Sequence, residues 1–194
     1  MAKRILTVPN QLTFLRLGFL PFFIILVLYR RYPWALAILL LAALTDAMDG
    51  MLARTLQQKT ALGAYLDPIA DKLLLSSSFV ALALDGQIRW WLTILVLGRD
   101  VLILITAAVI LATVGYRPFP PSIFGKITTT LEILLVFVVL MLAVFHGDAS
   151  ADGHGLAVAR QLLGYLVAGF TVFSGFHYSV VVARRLSQPQ EARD

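Results

Sequence analysis

The sequence predicts an all-α integral membrane protein, a six-transmembrane-helix bundle preceded by a short N-terminal interfacial segment at residues 1–9. Hydrophobic residues make up 59% of the 194 residues and charged residues only 14%, which is more apolar surface than a soluble core of this length buries. Six apolar stretches are each long enough to cross a bilayer, which requires about 20 residues. We see no internal repeat and no low-complexity run, so residues 1–194 are expected to form a single membrane-embedded domain.

Each predicted segment is bounded by charged residues, prolines or glycines. We place the segments at residues 11–30, 34–56, 62–84, 89–114, 122–145 and 155–183. Before the first segment, Pro9 is expected to end the preceding stretch and Asn10 to cap the helix. Asn10, Thr13 and Arg16 recur at three-residue steps, so a contact of Asn10 with a lipid headgroup is an equal alternative.

The uneven distribution of lysine and arginine predicts the orientation of the bundle. With a cytoplasmic N-terminus, nine basic residues fall on the cytoplasmic side: Lys3, Arg4, Arg54, Lys59, Arg117, Lys126, Arg184, Arg185 and Arg193. Four fall on the opposite side: Arg30, Arg31, Arg89 and Arg160. We therefore expect both termini to face the cytoplasm, in the inner membrane of the cell.

The residue types that are scarce or absent exclude several kinds of chemistry. The chain has no cysteine, which excludes disulfides, thiolate catalysis and cysteine-ligated zinc. Its three histidines, His146, His154 and His177, are expected to be structural or solvated. The net charge of +5 is explained by anionic lipid headgroups, and no nucleic acid partner is expected.

Four aspartates interrupt the apolar sequence at the end of the second predicted helix and the start of the third. Residues three or four apart share one face of a helix, so Asp46 and Asp49 lie on one stripe and Asp67 and Asp71 on another. A charge at the bilayer centre costs about 2.5–3.5 kcal/mol on insertion scales, so we expect these acids to bind cations. A short polar loop makes the two helices antiparallel neighbours, and the four carboxylates can therefore meet in one pocket.

An all-oxygen cluster of this kind selects hard divalent cations such as Mg²⁺, Mn²⁺ or Ca²⁺. Four negative charges balance two divalent ions, and a pair of metal ions is a common device for in-line displacement at phosphorus. Gly50 and Gly63 leave room for a bulky ligand group beside the acids, and Arg54 is placed to meet a phosphate.

Together these residues resemble a known family signature. The sequence reads Asp46-x2-Asp49-Gly50-x2-Ala53-Arg54-x8-Gly63-x3-Asp67-x3-Asp71, which resembles the complete signature of the CDP-alcohol phosphatidyltransferases. The resemblance implies transfer of a phosphatidyl group from CDP-diacylglycerol to an alcohol, with CMP as the leaving group. It also implies that two ions of Mg²⁺ or Mn²⁺ are the cofactors.

The resemblance further implies roles for individual residues. Asp46, Asp49, Asp67 and Asp71 would hold the metals, and Asp71 would also be the catalytic base for the acceptor hydroxyl. The CDP-lipid site would be formed by Asn10, Gly50, Ala53, Arg54 and Gly63.

Recognition of the acceptor is expected from charges in the fourth and fifth segments. Arg99 and Lys126 lie where a spanning helix normally has none, and Ser122 belongs to the same stretch as Lys126. One alternative for Arg99 is an internal ion pair with Asp100 or Glu132. The alternative for Lys126 is a side chain that reaches back to the membrane surface.

Different stretches of the sequence resemble two different branches of the family. Three stretches resemble the bacterial phosphatidylglycerophosphate synthases, whose acceptor is glycerol 3-phosphate: Val8-Pro9-Asn10-x2-Thr13-x2-Arg16, the run around Asp67-Pro68, and Ser122-x2-Gly125-Lys126. Gly98-Arg99-Asp100 is closer to the cardiolipin synthases, which use phosphatidylglycerol. We favour glycerol 3-phosphate and keep phosphatidylglycerol and inositol-phosphate acceptors open.

A different class of protein also has acids in its membrane helices. A divalent-cation transporter would explain the aspartates, but all four lie near one side and the Gly, Ala and Arg positions would have no role. The family resemblance suggests a homodimer, and the small side chains of residues 76–78 would let helices approach closely.

Overall fold

The computed structural model describes residues 8–55, 61–114, 123–147 and 153–186, and these are almost entirely helical. The helices, in chain order, are α1 Val8–Leu28, α2 Tyr32–Thr55, α3 Ala61–Leu84, α4 Trp90–Val114, α5 Ile123–His146 and α6 His154–Leu186. Each predicted segment begins and ends within three residues of one of these helices, so the all-α prediction is confirmed. The interfacial segment at residues 1–9 lies outside the described residues except for Val8 and Pro9, which belong to α1.

The start of α1 corrects one prediction. The helix begins at Val8, so Asn10 lies within the first turn and is not the residue that caps it. Proline is well tolerated at Pro9, because the first backbone N–H groups of a helix have no partner within the helix.

Among the described residues, three helices are followed by a residue in the left-handed conformation, namely Arg30, Gly86 and Gly147, and the first two of these helix ends share one pattern of hydrogen bonds. Arg30 has φ 56°, and the amides of Arg30 and Arg31 donate back to the carbonyls of Val27 and Leu26. Gly86 has φ 82°, and α3 ends with the same pair of bonds, from Gly86 to Ala83 and from Gln87 to Leu82. Both are Schellman-type ends, which satisfy the last carbonyls of a helix and turn the chain sharply into the next element.

The chain divides into two compact units. The first comprises Met1–Arg89 and Val136–Ala157, and in it α1 packs against both α2 and α3. Its core contains fully buried Phe23, Val27, Phe79 and Leu82.

The second unit comprises Trp90–Leu135 and Val158–Asp194. Leu92, Val96 and Val167 are buried in it together with polar side chains, among them Thr128 and Glu132.

Several polar and charged side chains are buried, and many large apolar side chains are exposed, which is unusual for a soluble protein. Phe145 and Phe176 are 72% and 70% exposed, whereas Arg16 and Glu132 are 1% and 0% exposed. An apolar exterior on this scale marks a surface that contacts lipid. The protein is therefore a membrane protein.

Three helical stretches in the described part of the chain are long and apolar enough to cross a membrane. They are Gln11–Leu28, Ile123–His146 and His154–Val180, and Tyr32–Asp46 is a shorter apolar helix.

Candidate active site

The carboxylate motif occupies the facing ends of two consecutive helices. Residues 46–54 lie in the last turns of α2, and residues 63–71 lie in the first turns of α3. The helical spacing on which the predicted stripes depend is therefore present in the structure.

Asp46 and Asp71 are brought together by a third helix. Arg16 of α1 is 1% exposed, and its Nη2 lies 2.9 Å from Oδ1 of Asp46. The other terminal nitrogen, Nη1, donates to Oδ1 of Asp71. One guanidinium therefore joins the first and the last aspartate of the motif, which are 25 positions apart in the chain. Two of the four aspartates therefore lie beside the same guanidinium, and the convergence of all four carboxylates stays a prediction.

The remaining motif positions are described only as backbone. Asp49, Gly50, Ala53, Arg54, Gly63 and Asp67 are helical, but their side chains lie outside the described part of the structure, as does that of Asn10. Ser122 lies wholly outside the described residues. Their predicted roles stay predictions.

Arg16 is a site residue that the sequence did not single out as one. The available signal was its three-residue spacing from Thr13 and Asn10 and its charge within an apolar helix. In the structure Thr13 is also fully buried one turn before Arg16, so this face of α1 points into the protein. A lone arginine near a helix start is commonly placed at the membrane surface, and only the fold shows its partners.

The residues present fit a divalent cation. Asp46 and Asp71 come from different helices and already share one cation, the guanidinium of Arg16. Each aspartate side chain is 51% exposed, so both remain accessible from outside the protein. Among the residues whose side chains the structure describes, no group of three or more histidine, aspartate or glutamate side chains converges. The described donors are therefore two of the four that the motif predicts.

Arg99 and Lys126 have different environments. The Arg99 side chain is buried; Nη1 donates to Oδ1 of Asp100 at 2.7 Å and Nη2 donates to Oγ of Ser174 at 3.2 Å. This is the internal pair that the sequence left open as an alternative for Arg99. Lys126 is exposed in the first turns of α5. Of the two, Lys126 is the accessible cation.

Of the histidines, His177 lies among aromatic rings. Its ring centroid is 5.0 Å from that of Phe124 and 6.4 Å from that of Phe173. His146 and His154 are exposed at the ends of α5 and α6. These positions agree with the structural and solvated roles expected from the sequence.

Comparison with known proteins identifies the family. Residues 6–173 match the family described as CDP-alcohol phosphatidyltransferase. A cardiolipin synthase (CMP-forming) of Streptomyces coelicolor is 34% identical over 202 aligned residues, which cover 98% of this chain and 89% of the relative. A probable phosphatidylglycerophosphate synthase of Mycobacterium tuberculosis is 34% identical and covers 94% of this chain and 83% of the relative.

A third relative is a CDP-diacylglycerol–glycerol-3-phosphate 3-phosphatidyltransferase of Pectobacterium atrosepticum, 31% identical over 94% of this chain and 98% of the relative. These matches extend over nearly the whole length of the chain, well beyond the motif. They favour the enzyme over the transporter. The eight-residue motif on α2 and α3, the apolar exterior and the match over residues 6–173 together show that this membrane protein belongs to the CDP-alcohol phosphatidyltransferase family of enzymes.

Proposed function

We propose that this enzyme transfers the phosphatidyl group of CDP-diacylglycerol to glycerol 3-phosphate, releasing CMP and forming phosphatidylglycerophosphate. The observation that carries the proposal is the joining of Asp46 and Asp71, from opposite ends of the complete family motif, at one point of the fold. The Pectobacterium relative, whose name includes this acceptor, aligns with 94% of the chain.

The reaction is a single displacement at phosphorus. The acceptor hydroxyl oxygen bonds to the phosphorus of the phosphatidyl group, and the bond from that phosphorus to the CMP oxygen breaks. The hydroxyl proton passes to the carboxylate of Asp71, which is half exposed and is our proposed general base. No covalent enzyme intermediate is needed, which suits a chain without cysteine.

We propose that Asp46, Asp49, Asp67 and Asp71 hold two ions of Mg²⁺ or Mn²⁺. When bound, such ions neutralise the charge that grows on the leaving phosphate. The donor set supports this proposal, since carboxylate oxygens suit these cations. The residues themselves supply negative charge from two helices at the same place.

Binding of the CDP-lipid is proposed for the non-acidic motif positions. Gly50, Ala53 and Gly63 add little side-chain volume beside the aspartates, which leaves space for the cytidine and the pyrophosphate. Arg54 would donate to a phosphate oxygen, and Asn10, near the start of α1, would contribute a further polar contact.

Binding of the acceptor phosphate is proposed for Lys126, with Ser122 and Arg99 as further contacts. The exposure of Lys126 supports a role in binding a small dianion from solution. Arg99 already forms an ion pair with Asp100. To bind the acceptor phosphate as well, its guanidinium would have to contact Asp100 and the phosphate at the same time.

A second acceptor is favoured by two specific observations. Gly98-Arg99-Asp100 resembles the cardiolipin synthases, and the Streptomyces relative carries that name. In that reading phosphatidylglycerol replaces glycerol 3-phosphate and the product is cardiolipin. An inositol phosphate is a third acceptor to test.

In the membrane, we propose six spans with both termini and the carboxylate site on the cytoplasmic side of the inner membrane. The lengths of all six helices and the excess of basic residues at one end support this arrangement. We also propose that the chain assembles as a homodimer.

The experiment that tests the function is CMP release from CDP-diacylglycerol by the purified protein in detergent, with a panel of acceptors. We expect release with glycerol 3-phosphate and little with glycerol, phosphatidylglycerol or inositol phosphate. Release only with phosphatidylglycerol would replace the first proposal with the second. No release with any acceptor, from folded protein supplied with Mg²⁺ or Mn²⁺, would contradict both.

A further inference from the structure

Arg16 lies outside the eight-residue carboxylate motif, in the opening stretch that resembles the phosphatidylglycerophosphate synthases, yet it contacts the first and the last aspartate of that motif. It is buried on α1, whereas all eight motif residues lie on α2 and α3. A buried arginine is rarely tolerated without full pairing, and here its partners include two carboxylates of the candidate active site.

The local sequence allows α1 to come this close. Ala42 lies one turn before Asp46 and Ala70 directly precedes Asp71, and both alanines are buried. Small side chains beside the aspartates permit close helix approach, which brings the guanidinium within contact distance of both carboxylates.

The guanidinium is suited to hold two groups at once. Its terminal nitrogens form a rigid planar fork, and here each nitrogen binds a carboxylate from a different helix. We propose that Arg16 is a positioning residue for the carboxylate site, fixing the separation between Asp46 of α2 and Asp71 of α3. It acts through these two side chains and has no role at the reacting atoms.

Charge and donor capacity are consistent with a cation binding beside Arg16. One guanidinium and two carboxylates leave a net negative charge, so the site still attracts a divalent ion. Arg16 contacts Oδ1 of each aspartate, and a carboxylate offers about four lone-pair positions, so one contact with Arg16 does not by itself exclude a metal ion from either group. Arg16 would therefore position the metal-binding oxygens without replacing the metal.

This inference rests on the proposed function, and its test uses Mn²⁺ alone as the probe, without lipid. Arg16→Lys keeps the charge but lacks the fork, so it cannot hold both carboxylates in the same geometry. We expect the dissociation constant for Mn²⁺, measured by electron paramagnetic resonance of the purified protein, to rise roughly ten- to a hundredfold, as for other residues that orient metal ligands.

The matched control is Arg30→Lys, an exposed arginine just after α1 that pairs with Asp85, which follows the end of α3 away from the motif. We expect its Mn²⁺ affinity to equal that of the wild type. A second variant, Arg16→Ala, is measured with and without added methylguanidinium. This compound should restore Mn²⁺ binding because it replaces the guanidinium group that the substitution removes. Thermal unfolding in EDTA and gel filtration establish that each variant is folded.

The outcomes separate this inference from the proposed function. Unchanged Mn²⁺ affinity in folded Arg16→Lys would overturn the positioning role, and tighter binding would overturn it by showing that Arg16 competes with the metal. Failure of methylguanidinium to restore binding to folded Arg16→Ala would also count against it. Wild-type protein that binds Mn²⁺ but releases no CMP would contradict the function and leave the positioning of the carboxylates standing.

Discussion

At the scale of single residues, we expect the aspartates to carry the chemistry, because nothing else in the described site supplies negative oxygen ligands. Asp46 and Asp71 are each half exposed although they contact a fully buried arginine. The buried charge and its accessible partners form a polar cluster within an apolar protein. We therefore expect changes to these aspartates to affect turnover more than folding.

The first prediction is that Asp67→Asn or Asp71→Asn abolishes CMP release and that excess EDTA does the same to the wild type. An amide has one acceptor oxygen and no charge, so it weakens binding of a hard divalent cation. Asp85→Asn, in an aspartate bonded to Tyr32 and outside the motif, serves as the control and should retain turnover. Full CMP release in EDTA would contradict the metal requirement.

The second prediction is that Lys126→Ala raises the apparent constant for glycerol 3-phosphate far more than that for CDP-diacylglycerol. Loss of one charge-assisted phosphate contact costs about 1.5–3 kcal/mol, or roughly ten- to a hundredfold in affinity. Steady-state kinetics with each substrate varied separately measure the two constants. Arg89→Ala, another exposed basic residue, should change neither, and equal effects on both substrates would argue against an acceptor site at Lys126.

At the scale of helices, a cluster of polar residues connects three of the turns between helices in the first unit. Tyr32 at the start of α2 donates to Oδ2 of Asp85 at 2.8 Å, and Nε2 of Gln87 donates to the Tyr32 hydroxyl at 3.1 Å and to the carbonyl of Gly147 at 3.0 Å. Gln87 is 3% exposed. Three helix connections are thereby held by one buried amide.

The third prediction is that Gln87→Leu lowers the free energy of unfolding by about 1–3 kcal/mol, because the carbonyl of Gly147 and the Tyr32 hydroxyl lose a buried partner. Thermal unfolding in detergent measures the change. Gln161→Leu is the matched control, since Gln161 is exposed and bonds only to neighbouring Tyr165 among the contacts described. If both variants lower the free energy of unfolding by the same amount, the buried hydrogen bonds of Gln87 contribute no more to stability than the exposed one of Gln161.

At the scale of the whole molecule, exposed apolar side chains and buried polar ones show that lipid is the solvent of this protein. The direction in which it crosses the bilayer depends on the basic residues at its ends. Its oligomeric state depends on contacts between chains, which the structure of a single chain does not contain.

The fourth prediction concerns a reporter fused after Asp194. A reporter that works in the cytoplasm should be active there, and a reporter that requires the periplasm should be inactive. The excess of lysine and arginine near the N-terminus, the 57–60 loop and the C-terminus retains these regions on that side. A second reporter inserted at residues 148–152 should report the opposite side. Activity of the C-terminal fusion outside the cytoplasm would show the orientation to be wrong.

The fifth prediction is a dimer mass by light scattering after correction for bound detergent. Small residues let helices pack closely, and Ser76 and Ser77 are partly exposed on α3. Ser77 donates to the carbonyl of Leu73 in its own helix, so its hydroxyl needs no partner in a neighbouring chain. A monomer mass across a range of protein concentrations would contradict the prediction.

The sequence by itself determined the helices, the motif and the class of reaction. Apolar runs, their polar boundaries and the three- and four-residue spacing of the acids depend on neighbours along the chain, so they can be recognised without a fold. This is why six predicted segments match six helices within three residues. The start of α1 was wrong by a few residues because proline and asparagine suit several positions of a first turn.

Only the tertiary structure decided which charges meet. Arg16 contacts Asp71 from 55 positions away, and Gln87 contacts Gly147 from 60 positions away. For Arg99, the choice between Asp100 and Glu132 required the direction of a side chain within the packed unit. Such contacts depend on how helices pack, and helix packing depends on all the side chains between them. The sequence placed Arg16 in a stripe with Asn10 and Thr13, and its contacts with the aspartates became visible only once α1 lay against α2 and α3.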